Sequence, residues 1–195
     1  MTGGIILSAG ASRRMGVPKA LLDYRGETFL DRLIRILHRV AEPVIVVVGE
    51  HAAPIQARVR QAARFLINPD PARGQLSSLQ IAVAALPPEA DGFLFIPVDC
   101  PGVSENTVDR LAGAFARRSP ATMFVIPRYG GRRGHPVIAA RPIAAELLSL
   151  PPAAQARDVV HRHVPHTQYV DVDDPGILTD VDDPAAYRSL IGAGS

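Results

Sequence analysis

The chain has 195 residues, with 47% apolar side chains, 21% charged side chains and a formal net charge of +2. That length fits one domain, 1–195, able to bury a sizeable core, and the composition excludes a disordered or fibrous chain. So small a net charge argues against a dedicated nucleic-acid binder, although the sequence pI near 9.0 leans basic.

The single cysteine, Cys100, excludes an internal disulfide framework. No apolar run approaches the length of a membrane span, so no membrane role is expected. The short apolar start carries no basic leader and reads as a strand, which makes a reducing cytoplasm the expected location.

Ile5-Ile6-Leu7 is a continuous apolar run and predicts a buried parallel strand. The loop that leaves it contains Gly10, Ser12, Arg13, Arg14, Gly16, Pro18 and Lys19. Bare backbone N–H groups beside fixed cations suit a polyphosphate, either a triphosphate or the pyrophosphate that leaves one. The spacing excludes two familiar phosphate loops. Met15 stands where a Walker loop needs its second glycine, and Ser12 where a dinucleotide fingerprint needs its own. A surface turn with solvated basic residues is the bland alternative.

Phe29, Leu30, Leu33, Ile34, Leu37 and Val40 have helical spacing, and the β-branched run 43–49 predicts a second buried strand. A helix is expected from about Pro54 to Ala63, a strand over Arg64–Asn68, and a helix opened by Ser77-Ser78. Gly92–Pro97 reads as a fourth strand. Ser104 is placed to cap the helix carrying Val108, Leu111 and Phe115. Thr122–Ile126 predicts a fifth strand, followed by a turn at Gly130–Gly134 and an extended segment at Pro136–Ala139. Helices near Ile143–Leu150 and Ala156–His163, a strand at Tyr169–Val172 and a helix at Pro184–Leu190 complete the pattern. This alternation predicts an α/β fold: a three-layer α/β/α Rossmann-like arrangement around a mostly parallel sheet. Ligands of such sheets bind beyond the carboxyl ends of the strands, where the first loop lies.

Asp99 follows the apolar fourth strand and so emerges at that same edge. A Mg²⁺ ion wants one or two carboxylates plus phosphate oxygens there; the alternative is a turn residue before Pro101. Asp180 and Asp182 alternate, so both can share one face; either Asp180 or Asp182 is expected to join Asp99 at a metal, and Asp183 to cap the last helix, a place Asp182 could equally take. The acidic residues at 171–174 read as solvated loop.

Two metal-held carboxylates and a basic loop suit attack on an α-phosphate by a phosphate acceptor, which needs no protein nucleophile because it is already anionic. Gly74, Ser77 and Ser78 either cap a helix or hydrogen-bond a nucleobase or ribose. Arg132, Arg133 and His135 either form a solvated hairpin or meet an acceptor phosphate. His161, His163 and His166 read as surface histidines, because residues two apart on a helix share no face. Cys100 reads as a small buried residue, since no base accompanies it.

Taken together, the motifs resemble the MobA-like nucleotidyltransferases, most closely the molybdenum cofactor cytidylyltransferase branch. The likeness runs from about Gly4 to Leu190. Its strongest element is Leu7-x-Ala9-Gly10-x-Ser12-x-Arg14-Met15-Gly16-x-Pro18-Lys19. Pro97-Val98-Asp99-x-Pro101, Gly134-His135-Pro136 and Asp180-Val181-Asp182-x-Pro184 follow in order.

The resemblance implies a fold like that of nucleotide-diphospho-sugar transferases and transfer of a nucleoside monophosphate from an NTP to a phosphate acceptor. It places Leu7, Ala9 and Gly10 at the nucleotide through backbone, Arg14 and Lys19 at the triphosphate, and Asp99 with Asp182 at Mg²⁺. For that branch the substrates would be CTP and the terminal phosphate of molybdopterin, and a molybdoenzyme would be the partner. Ala9 replaces a glycine found in guanylyl-transferring relatives. Ser8 and Asp183 depart from the family pattern, where alanine and threonine are usual. A sugar or alcohol phosphate acceptor, GTP as donor, and a non-catalytic module holding a nucleotide or cofactor are the competing readings.

Overall fold

The computed structural model describes residues 1–12 and 14–192; Arg13, expected among the phosphate-facing cations, lies outside the described residues. The chain opens with β1 (Thr2–Ser8), a small hairpin of β2 (Asp23–Tyr24) and β3 (Glu27–Thr28), and α1 (Phe29–Leu37). It continues through β4 (Val44–Val48), α2 (Ala52–Arg58), β5 (Arg64–Ile67), α3 (Gln75–Ala84) and β6 (Gly92–Pro97). Then come α4 (Glu105–Ala116), β7 (Phe124–Tyr129), β8 (Arg132–Arg133), β9 (Val137–Ala140), α5 (Pro142–Ser149), α6 (Ala156–Arg162), β10 (Thr167–Asp171) and α7 (Pro184–Gly192).

The main sheet has the order β10-β7-β9-β6-β1-β4-β5, with β8 paired to β7. β1 runs parallel to both β4 and β6, and β10 runs parallel to β7. β9 alone among the long strands is reversed, antiparallel to β6 and to β7. The expected mostly parallel sheet is therefore present, with this inversion added. The chain leaves β1 toward β4 and β5, then returns to the other side of β1 at β6. The loops after β1 and β6 diverge at that switch, which opens a crevice at the carboxyl ends.

Alternation along the strands feeds two cores. Ile6, Val44, Val46 and Val48 pack on one face with α1 and α4, whereas Ile5, Leu7, Ile45 and Val47 pack on the other with α3 and α5. Each such side chain is worth roughly 1.5–3 kcal/mol when buried, so the two faces together fix the register of the sheet. α1 starts at Thr28, whose hydroxyl accepts from the Asp31 N–H at 3.0 Å. Ser104 caps α4 in the same way, accepting from Thr107 N–H at 3.2 Å.

Some element boundaries differ from the sequence reading. α2 ends at Arg58 instead of Ala63, because the chain turns extended at Val59 and the next N–H groups, of Arg60 and Gln61, bond to the buried carboxylate of Asp31. α3 begins at Gln75 instead of Ser77; Gly74 precedes it with φ +88°, a conformation open to glycine, and starts the helix early. The fifth strand is displaced to Phe124–Tyr129, because pairing to β8 and β10 extends it past the apolar run.

The acidic stretch 171–174 is not uniformly solvated. Asp174 is buried and accepts from Ser104 N–H, Thr107 Oγ1 and Gly176 N–H at 2.9, 2.6 and 2.9 Å. His163 is half-buried, not a surface residue: Nε2 lies 2.7 Å from Glu146, and the ring stands 6.0 Å from that of Phe124. Among the described residues no helix is long and apolar enough to cross a membrane.

Candidate active site

β1 and β6 deliver the first two parts of the site. The N–H of Val98 donates to the carbonyl of Leu7 at 3.0 Å, so the chain leaves β6 directly beside the loop that leaves β1. Asp99 follows at once. Within the first loop, Ser12 has φ +50° and organises a compact turn. Its carbonyl accepts from Met15 N–H at 2.9 Å and its hydroxyl accepts from Lys19 N–H at 3.0 Å. That bond anchors the backbone of Lys19, which opens a single helical turn at Lys19–Leu21.

The third part comes from the C-terminal segment. Val181, 1% exposed, is packed into the core, and its N–H donates to the carbonyl of Asp99 at 2.9 Å. The residues on either side, Asp180 and Asp182, are thereby turned toward Asp99, as their alternation predicts. One oxygen from each of Asp99, Asp180 and Asp182 lies within 4.8 Å of the others.

Two cations answer this negative charge. Lys19 Nζ lies 3.1 Å from Asp99 Oδ2 and 2.7 Å from Asp182 Oδ1, and Arg14 Nη2 lies 3.7 Å from Asp182 Oδ2. The Lys19 side chain is 13% exposed and that of Arg14 70%, so the lysine is enclosed while the arginine extends into solvent.

Burial works against the Lys19 ammonium, but its hydrogen bond to Asp182 and the charge of Asp99 outweigh that and hold its pKa above the ordinary lysine value. The same hydrogen bond from Lys19 holds Asp182 below the usual carboxylate range. Asp180 moves the other way: burial, then the charges of Asp99 and Asp182, push its carboxyl up. Three hard oxygen donors crowded together, one of them short of cationic partners, suit a divalent ion of the Mg²⁺ or Mn²⁺ type.

Two cavities meet at these aspartates. The first, about 420 Å³, is lined by Leu7, Ala9, Gly10, Arg14, Lys19, Gly74, Ser78, Asp99 and Asp182, all expected there from the sequence. Ser77, expected with them, does not line it: the Ser77 hydroxyl donates to Gly74 O at 2.8 Å and accepts from Asn68 Nδ2 at 2.8 Å. Asn68 also donates to Ser78 Oγ at 2.9 Å.

The second cavity, about 340 Å³, is lined by Arg132, Arg133, His135, Cys100, Asp180 and Thr179, and it shares Gln75, Pro97, Asp99 and Asp182 with the first. Its wall is a tight junction. His135 N–H donates to Ile177 O at 3.0 Å, and a Cβ at Gly134 would meet that same carbonyl oxygen at 2.2 Å. Only glycine lets the β7–β8 hairpin approach so closely.

Burial lowers the His135 pKa, and its Nδ1 is buried without a partner. Burial, then the charge of Asp99, pushes the Cys100 thiol far up, which removes it as a nucleophile. Gln75 was not singled out by the sequence reading, although it reaches both cavities. A glycine before a helix that starts at the carboxyl edge of the sheet was the signal available for it. Asp183 caps α7, accepting from the N–H groups of Ala185 and Ala186 at 2.9 and 2.8 Å.

Residues 4–167 match a family described as "MobA-like NTP transferase domain", a span that ends before Asp180 and Asp182. The "Probable molybdenum cofactor guanylyltransferase" of Bacillus cytotoxicus is 29% identical over 134 residues, 67% of this chain, and the chain covers only 63% of that relative's length. The "Molybdenum cofactor cytidylyltransferase" of Escherichia coli is 26% identical over 182 residues, 92% of this chain and 90% of its own. The "Nicotine blue oxidoreductase" of Paenarthrobacter nicotinovorans is 36% identical over 156 residues, 75% of this chain and 76% of its own. Among solved structures, that of Rv0371c from Mycobacterium tuberculosis in complex with manganese is similar at a TM-score of 0.80, with 26% identity and 98% of each chain covered.

Proposed function

This chain belongs to the MobA-like NTP transferase family, and from that premise we propose that it moves CMP from CTP to the terminal phosphate of molybdopterin, releasing pyrophosphate, with Mg²⁺ as its metal. One observation carries the reading. Asp99, Asp180 and Asp182 stand with Lys19 where two cavities meet, so two anionic substrates can be brought together across one carboxylate cluster.

In this scheme the first cavity takes the nucleotide. Leu7, Ala9 and Gly10 offer backbone to it, Gly74 and Ser78 border it, and Arg14 and Lys19 hold the triphosphate. The second cavity takes the acceptor, with Arg132 and His135 at its phosphate. An acceptor phosphate oxygen forms a bond to the α-phosphorus as the bond from that phosphorus to the bridging oxygen of the pyrophosphate breaks. The acceptor is already anionic, so the protein needs no general base; its task is to position and to neutralise charge. Asp99 and Asp182, with Asp180, would hold the divalent ion, which when bound supplies further charge neutralisation to the phosphates. The manganese complex of Rv0371c supports a divalent ion in this fold.

CTP as donor is supported by Ala9 in place of a second glycine and by the match to the Escherichia coli cytidylyltransferase over 92% of the chain. The guanylyltransferase names among the relatives favour GTP as the second reading. We place the reaction in the cytoplasm, with a molybdoenzyme receiving the product.

The test is pyrophosphate release from each NTP, with and without molybdopterin and Mg²⁺, followed by mass spectrometry of the product. A cytosine dinucleotide formed from CTP supports the reading. The guanine dinucleotide replaces CTP by GTP, activity only with a sugar or alcohol phosphate replaces the acceptor, and no release in any combination leaves a binding module.

A further inference from the structure

Lys19 spans the two carboxylates that a divalent ion would need. Its ammonium lies within hydrogen-bonding distance of both Asp99 and Asp182 and is largely shielded from solvent. Both partners belong to the group of three whose oxygens fall within 4.8 Å of one another. An enclosed positive charge between them relieves repulsion that would otherwise draw in a cation, and it takes up lone pairs that would ligate one. Arg14, longer in contact and mostly exposed, screens Asp182 far less.

The backbone of Lys19 is tied to Ser12, whereas its side chain also lines the larger cavity. The ammonium can therefore turn from the aspartates toward an anion in that cavity without movement of the loop. It cannot fully serve both.

Resting on the nucleotidyltransferase reading above, we propose that Lys19 is an internal counter-ion: it suppresses cation binding while the cavity holds no triphosphate and frees Asp99 and Asp182 when a triphosphate takes it. Metal and triphosphate then bind with positive coupling, and the coupling is reciprocal. Cation affinity is held down until there is a substrate to act on.

The experiment compares Mn²⁺ affinity, read as the loss of the free-ion electron paramagnetic resonance signal, in nucleotide-free wild type and Lys19→Met. Lys19→Met is expected to bind Mn²⁺ more tightly by about tenfold, within the 5- to 150-fold range of ordinary couplings. Adding Asp99→Asn to that variant should cancel the gain. Equal or weaker binding by Lys19→Met overturns the proposal.

A wild-type measurement protects against a misfolded variant. The lysine ¹⁵Nζ signal of Lys19 should shift when CTP binds in excess EDTA; CTP binding with no shift also overturns it. Calorimetry with CTP and GTP in Mg²⁺ tests the underlying reading separately. If neither nucleotide binds, the transferase assignment fails, while the nucleotide-free Mn²⁺ comparison still decides whether Lys19 opposes the cation.

Discussion

The backbone N–H of Val181 donates to the carbonyl of Asp99 at 2.9 Å, so one main-chain bond fastens the C-terminal segment to the end of β6 and brings two further carboxylates to the third. The geometry of the cluster depends on this bond and on the buried Val181 side chain as much as on the aspartates.

Val181→Ala removes two buried carbons and should cost about 1–3 kcal/mol in chemical denaturation. It removes no carboxylate, yet it loosens the residues on either side. Mn²⁺ affinity should therefore fall severalfold in a variant that still folds cooperatively. Unchanged affinity would show that the cluster is held by other contacts.

Asp174→Ala leaves the Ser104 N–H, the Thr107 hydroxyl and the Gly176 N–H without their acceptor. Three donors stranded around a buried site should cost roughly 2–4 kcal/mol. Thermal denaturation checks this. Asp173→Ala, at an exposed neighbouring position, should be close to neutral.

That contrast shows what could be read from the chain alone. Asp99 was legible because an apolar strand of fixed length dictates where the next polar residue emerges, and Asp180 with Asp182 because alternation is a local property. Asp174 was not, since its burial is decided by Ser104 and Thr107, about seventy positions earlier in the chain. Ser77 looked like a site residue by type, but Asn68 and Gly74 engage its hydroxyl. The reversal of β9 also left no trace, because an apolar run carries no direction. What pairing across the sheet decides, periodicity does not record.

Arg132→Ala tests the proposal that the second cavity takes the acceptor. The residue lines the second cavity and not the first. Its loss should raise KM for the phosphorylated acceptor about tenfold and leave KM for the nucleotide unchanged. Steady-state kinetics with each substrate varied in turn separates the two. A rise in nucleotide KM alone would reverse the assignment of the cavities.

Glu27 gives a pH dependence away from the site. A paired hydrogen bond from Arg35, working against partial burial, holds its carboxyl below the usual range. A depressed folded pKa contributes stability above the unfolded value, about 4.3, and loses it as pH falls through the folded value. Wild type should exceed Glu27→Gln by roughly 0.5–1 kcal/mol at neutral pH, the solvent around this partly exposed pair screening the rest. The difference should shrink progressively below about pH 4, as followed by denaturation across that range. A constant difference would mean that Arg35 acts through packing instead of charge.

Lys19 and Asp182 touch although 163 positions separate them in the chain. During synthesis the sheet can assemble around β1, β4 and β6 long before the last carboxylates leave the ribosome. A nascent chain at that stage carries the cationic loop and Asp99 but neither Asp180 nor Asp182, so the cluster of three carboxylates closes only when the segment around Val181 docks. A fragment cleaved ahead of Asp180 lacks two of the three clustered carboxylates in the same way.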